Sequence, residues 1–260
     1  MDIYQHFRKE ERHFVDQVVS WRDQVNQFYT AKISDFLDPR EQFIFQSVIG
    51  QDEQLNLSFS GGYQGAERKQ AALAPYYEEL TDNDFPITLL MATYSTRFNQ
   101  IEHRDVLGAF FSLGMKHKKL GDINVDAEQG LIQLAVSHDV ADFVSLHFTQ
   151  IKQTSIQFKK IEQERALSVA ALWRYHETTV SSLRLDVLVK HVYRISRSQA
   201  AQLIGKGYLK VNFKVVEDPA FKVEAGDLLS CRGKGRSKLI SILGETKKEK
   251  WRIEYGILEK

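Results

Sequence analysis

The sequence predicts a multi-domain α+β protein of 260 residues, and three observations carry that prediction. Apolar residues recur at helical spacing near the N-terminus and at alternating, strand-like spacing further along. Between residues 83 and 162 the two periods follow one another as β-α-β-β-α-β, the split βαβ plan of ferredoxin-like and RRM-like domains. Charge is also unevenly divided. Residues 1–180 hold 18 Lys+Arg against 25 Asp+Glu, a net −7; residues 181–260 hold 17 against 9, a net +8; the two sum to +1. A basic pole of this kind points to a polyanionic partner.

Residues 1–82 read as an N-terminal α/β domain. Ile3, Phe7, Phe14, Val18, Trp21 and Val25 fall at spacings of three, four or seven, as an amphipathic helix requires. Asp38-Pro39 supplies an N-cap carboxylate and a proline at the first helical position, starting a second helix that runs to Ile49. Leu55 to Phe59 alternates as a strand and stops at Gly61-Gly62. A short helix is expected from Gly65 to Ala74, ended by Pro75.

In residues 83–162, Ile87 to Tyr94 is a strand and His103 to Leu113 a helix closing at Gly114. Asp122 to Val125 and Leu131 to Val136 form two strands across the turn at residues 126–130, Asp139 to Ile151 a helix, and Ser155 to Ile161 the last strand. The aromatic-rich strands with which RNA-recognition domains stack bases are missing. Residues 163–180 read as a linker.

Residues 181–260 form a basic module. Ser182 to Lys190 is a short helix; Ser196 to Ile204 is a second, capped by Ser196 and stopped near Gly205-Lys206-Gly207. Tyr208 to Asn212 turns at Phe213-Lys214 into Val215-Val216, and a last strand spans Asp227 to Arg232. Arg184, Arg197, Lys206, Lys210 and Lys214 are expected on one surface. Arg232, Lys234, Arg236 and Lys238, alternating with Gly233, Gly235 and Ser237, read as a flexible basic tail able to follow a phosphate backbone.

Other classes fall away. No run approaches 18 apolar residues, so no membrane span is expected, and the first residues lack the core of a secretory signal. Cys231, the single cysteine, sits in strand pattern and reads as a half-buried residue rather than a nucleophile. The histidines lack metal-ligand spacing, and no Ser-His-Asp or Cys-His grouping stands out, so no metal, cofactor or catalytic residue is expected. His103-Arg104-Asp105 mimics a kinase loop, but Phe110 stands where asparagine is needed. Gly61 to Gly65 reads as a tight turn more readily than an anion cradle. The expectation is a cytoplasmic, monomeric RNA binder without affinity for DNA or membrane.

Arg184-Leu185-Asp186, Ser196-Arg197-Ser198-Gln199-Ala200, Leu203-Ile204, Gly207, Val211-Asn212, Val223 and Gly226-Asp227 together resemble the alpha-L RNA-binding domain named after ribosomal protein S-four. The resemblance implies RNA contacts from Arg184, Ser196, Arg197, Gln199, Lys206, Lys210, Asn212 and Lys214, with Arg232, Lys234 and Arg236 beyond them. Many members carry glycine after Val-Asn, where this chain has Phe213. Arg184-Leu185-Asp186 also matches a pseudouridine-synthase motif, but Asp186 lies in the module's first helix and reads as a partner of an arginine or the backbone. Gly61-Gly62-Tyr63, Ala66-Glu67-Arg68-Lys69, His103 to Gly108, Leu113-Gly114, Lys118-Lys119 and Gly121-Asp122-Ile123 extend the likeness over nearly the whole chain, to the YlmH family. That likeness implies a factor that binds rRNA and tRNA on the large ribosomal subunit, in quality control of stalled peptidyl-tRNA complexes, with a link to cell division. Arg68, Lys69, Arg104, Lys118 and Lys119 are secondary RNA-contact expectations. Two rivals stand beside it: an RNA-modifying enzyme with a catalytic N-terminal half, and a cell-division adaptor.

Overall fold

The computed structural model describes residue 7 and residues 9–97, 99–167 and 173–259. It divides into two compact units, Met1–Val169 and Ala170–Lys260. Ile3, expected in the first helix, lies outside the described residues.

In the first unit, α1 (Arg12–Phe28) packs Val15, Val18 and Val25 against α2 (Pro39–Ile49), which buries Ile44, Phe45, Val48 and Ile49. Helix α2 starts where Asp38 accepts from the Arg40 and Glu41 amides while Glu41 accepts from the Asp38 amide, a complete capping box. Beneath the helices lies an antiparallel sheet in the order β1 (Lys32–Ile33), β3 (Gln70–Pro75), β2 (Leu55–Ser60). The expected helix over 65–74 is thus overturned: its second half is the central strand β3, buried at every position. Its small apolar residues fit a fully buried strand as well as a helix, and pairing on both sides decides between them.

The same unit holds a four-stranded antiparallel sheet, β5 (Leu120–Asp126), β6 (Leu131–Ser137), β4 (Ile87–Thr93), β9 (Lys159–Ile161), in that order. Helices α3 (His103–Ser112) and α4 (His138–His147) bury Val106, Phe110, Ala141 and Val144 against Leu90, Ile132 and Leu134 on one face. Helix α4 ends four residues short of expectation, and the chain turns through a small hairpin, β7 (Gln150–Ile151) and β8 (Thr154–Ser155), before β9. The sheet's other face is covered in part. Phe36 packs with Leu89 and Ala135, and its ring lies so close to Gly121 that a Cβ there would stand 2.7 Å from it. Gln133, fully enclosed on the neighbouring stretch, accepts from the Leu167 amide at 2.6 Å.

The second unit is a six-stranded antiparallel sheet in the order β10 (Trp173–Val180), β15 (Trp251–Leu258), β14 (Gly235–Glu245), β13 (Leu228–Cys231), β11 (Leu209–Val211), β12 (Lys214–Val215). Two expectations fail here. The linker over 163–180 contains β10, which pairs with β15 along eight residues. The flexible basic tail is largely β14, which pairs with β13 and buries Ser237 between the partly exposed Arg236 and Lys238. Helices α5 (Leu185–Tyr193) and α6 (Arg197–Gly205) lie on one sheet face, where Leu185, Leu188, Val189, Ala200 and Ile204 meet Leu209, Val211, Leu229, Cys231, Leu239 and Ile253. Among the described residues no helix is long and apolar enough to cross a membrane.

Candidate nucleic-acid interface

Helix α5 begins at Arg184, and its first backbone donors already have partners: Leu185 donates to the Phe221 carbonyl at 2.9 Å and Asp186 to that of Pro219 at 3.1 Å. Asp186, in the first turn where the helix dipole favours an anion, is 4% exposed. Its carboxylate is the centre of a three-residue cluster. Arg184 Nε donates to Oδ1 at 3.1 Å and Nη2 to Oδ2 at 3.3 Å, while Arg197 Nε reaches Oδ2 at 2.9 Å. Burial pushes the carboxyl up, but the hydrogen bonds and charges of the two guanidiniums prevail and hold it below the ordinary carboxylate range. The arginines themselves face water, 43% and 58% exposed, so the enclosed anion fixes two outward cations.

Arg197 enters this cluster because α6 is firmly started. Ser196 accepts from the Gln199 amide at 3.1 Å and the Gln199 side chain accepts from the Ser196 amide at 3.0 Å. Both side chains expected on RNA are therefore engaged in the cap. Lys206 is exposed at the far end of α6.

The expected single basic surface is not what forms. Strand residues alternate between faces, and Lys210 pairs with Ser230, which pairs with Arg236. That row, with Lys238, lies on the sheet face opposite the helices, whereas Lys214 shares the side of Val211. Asn212 is only 8% exposed and faces inward in its bonding: its amide nitrogen donates to Asp227 at 2.7 Å and its oxygen accepts from the Leu228 amide at 2.9 Å. It shapes the turn rather than offering itself to a ligand. Arg232 lies over the Tyr208 ring at 5.1 Å and Arg236 over Phe213 at 5.7 Å. Lys234 is exposed at the turn between β13 and β14. The outer face also carries Trp173 and Tyr175, left aside by the sequence reading; their period-two spacing before the first helix was the available signal.

The secondary positions are mostly committed inside the first unit. Arg68 is 8% exposed and spends Nε on the Leu120 carbonyl at 2.9 Å and Nη2 on that of Phe36 at 3.1 Å, and burial pushes its guanidinium down. It is a structural tie, not a surface cation. Lys119 bridges Asp35 at 3.0 Å and Asp139 at 2.9 Å, Arg104 faces Glu102 at 3.1 Å, Lys69 is half-buried and Lys118 exposed. The glycine-rich loop does cradle an anion, but its own: Asp122 accepts from the amides of Glu67 at 2.7 Å and Arg68 at 3.1 Å and from the Tyr63 hydroxyl at 2.9 Å. Cys231 is buried in β13.

Three sequence-family models match the chain: "YlmH, N-terminal" over residues 10–78, "Putative RNA-binding domain in YlmH" over 81–165, and "S4 domain" over 183–229. The chain is 45% identical over 254 residues to the Ribosome-associated protein quality control protein P2 of Bacillus subtilis, covering 98% of both. It is 46% identical over 55 residues to the small ribosomal subunit protein uS4 of a Thermoanaerobacter species, covering 21% of this chain and 27% of that one. A solved structure, the cell division protein ylmH from Streptococcus pneumoniae, superposes with a TM-score of 0.54 at 25% identity, over 64% of this chain and 99% of the other.

Proposed function

The chain belongs to the YlmH family, and from that premise we propose that it is a non-enzymatic factor that binds rRNA and tRNA on the large ribosomal subunit. On this reading it acts in ribosome-associated quality control of stalled peptidyl-tRNA complexes. The name of the Bacillus relative supports the setting, and the RNA-binding and S4-type domains support the chemistry.

One observation carries the reading: the Asp186 carboxylate, enclosed and doubly engaged, aims Arg184 and Arg197 outward side by side. Guanidiniums fixed in this way match phosphate oxygens with little loss of freedom on binding. Lys206 and Lys214 extend the positive surface on the helix side. In the first unit, the strand order supports a ferredoxin-like reading of residues 83–162 as a scaffold, since Phe36 and Gln133 occupy part of the face on which such domains stack bases.

Co-sedimentation tests this. Arg184→Ala/Arg197→Ala should lose binding to isolated large subunits while melting as a folded protein; unchanged pelleting rejects the assignment. The enzyme rival predicts altered nucleosides in rRNA incubated with the protein. The adaptor rival, favoured by the name of the Streptococcus relative, predicts protein partners retained after nuclease treatment and at high salt.

A further inference from the structure

The outer face of the C-terminal sheet has a composition that packing does not explain. Its register sets Lys210, Ser230 and Arg236 in one row, and Lys238 beside Gly256, which pairs in turn with Tyr175. Gly256 makes room for rings. A Cβ at that position would stand 3.2 Å from Trp173 and 3.6 Å from Tyr175, so both aromatics lie across the β15 backbone, and Tyr175 is still 59% exposed. At the other edge Phe213 adopts φ +68°, directly after Asn212 at φ +47°. A left-handed conformation costs an L-residue roughly 1–2 kcal/mol, and glycine avoids it. The Phe213 ring does not repay this from the core, since it is not among the side chains packed there. It stands instead under the Arg236 guanidinium, on the outer side. Phe213 is half-buried, and strain retained outside the core marks a use for the side chain.

We propose that this face is a second RNA site, a stacking platform for unpaired nucleotides, separate from the Arg184–Arg197 surface. The inference rests on the RNA-binding reading above and extends it to a different ligand class. Adjacent strands lie about 4.8 Å apart, so Tyr175 and Lys238, two strands apart, are roughly 10 Å from each other. Aromatic planes accept any base, and the cations between them take the linking phosphates. Glu177 and Glu254, paired in the next row with Ser241 bonded to Glu254, set the platform's limit by repelling a phosphate chain.

The experiment uses the full chain with a labelled unstructured oligouridylate and a labelled RNA hairpin, read by fluorescence anisotropy. Tyr175→Ala/Phe213→Gly should weaken oligouridylate binding about tenfold or more, leave the salt dependence of that binding unchanged and alter hairpin affinity less than twofold. Phe213→Gly alone should raise the melting temperature of the C-terminal unit while weakening oligouridylate binding, opposite signs that unfolding cannot produce. Arg184→Ala/Arg197→Ala should weaken the hairpin and spare the oligouridylate. Unchanged oligouridylate affinity in the Tyr175/Phe213 variant, or no oligouridylate binding by the parent chain, overturns the platform. If the arginine variant still loses the hairpin, the RNA-binding reading survives that failure; if neither variant changes any binding, both fall.

Discussion

Replacing Asp186 by asparagine tests the cluster at the start of α5 most directly, because it removes one charge and almost no volume. The carboxylate receives three guanidinium hydrogen bonds at 2.9–3.3 Å and is 5% exposed. Hydrogen bonds to charged groups contribute about 1.5–3 kcal/mol when enclosed. Here both donors face water, where exposed ion pairs retain only about 0.2–1 kcal/mol, so the three bonds cannot be summed at full value. A net loss of about 2 kcal/mol follows for the buried carboxylate. In a unit of this size, 1 kcal/mol shifts the midpoint by about 4–8 °C, so the C-terminal transition should drop by about 8–16 °C.

Thermal melting by circular dichroism would show it, with the N-terminal unit's transition serving as the internal reference. The pH dependence supplies the sign. A folded-state pKa below the ordinary value of 3.8 means the contribution is present above that value and is lost as pH falls through the folded pKa. The gap between parent and Asp186→Asn should therefore be constant from pH 6 to 8 and narrow only below about pH 4. RNA-hairpin affinity should fall although the net charge becomes more positive, because the arginines lose their fixed geometry. Equal stability at pH 7, or tighter hairpin binding, would refute the reasoning.

Other perturbations separate structure from binding. Asp38 is pushed up to about 6 by burial and then by the nearby Glu41 charge. Its neutral form is favoured in the folded state, with stability present below about pH 4 and lost as pH rises through 6. Asp38→Asn, an equally good N-cap, should stabilise the N-terminal unit by about 1–3 kcal/mol at pH 7.5 and by nothing at pH 4, as melts at the two pH values would reveal. Arg68→Ala strands the Leu120 and Phe36 carbonyls and should cost about 2–4 kcal/mol without changing the salt dependence of hairpin binding. For the parent chain, log affinity for structured RNA against log salt should have a slope of about −3 to −5. Arg184→Ala/Arg197→Ala should make it shallower by about 1–2, measured by titration at four salt concentrations.

Local chemistry was legible in the sequence and distant pairing was not. Ser196 and Gln199 announced the start of α6 because a capping box lies within four residues, and Asp38-Pro39 announced α2 for the same reason. Asp186 could be read as an arginine's partner, but that it gathers Arg197 as well as Arg184 depends on how α5 and α6 meet. Strand β10 escaped notice because its partner, β15, lies some eighty positions on, and a half-polar strand has no signature without that partner. In β14 the glycines suggested mobility; in place, Gly235 takes φ +99°, a conformation that favours glycine, and the Tyr193 hydroxyl lies 3.1 Å from both the Gly235 carbonyl and Ser237 Oγ. The division of the basic residues between two faces follows from that same missed strand.

The pairing of β10 with β15 places the two ends of the C-terminal unit side by side, closed like a clasp. A fragment cut to residues 183–229 would lose the clasp, leave the inner strands with raw edges and invite self-association. A piece meant to fold by itself should therefore keep Trp173 to Leu258, and tension applied at its two ends should unzip that outer pair before the helices are disturbed.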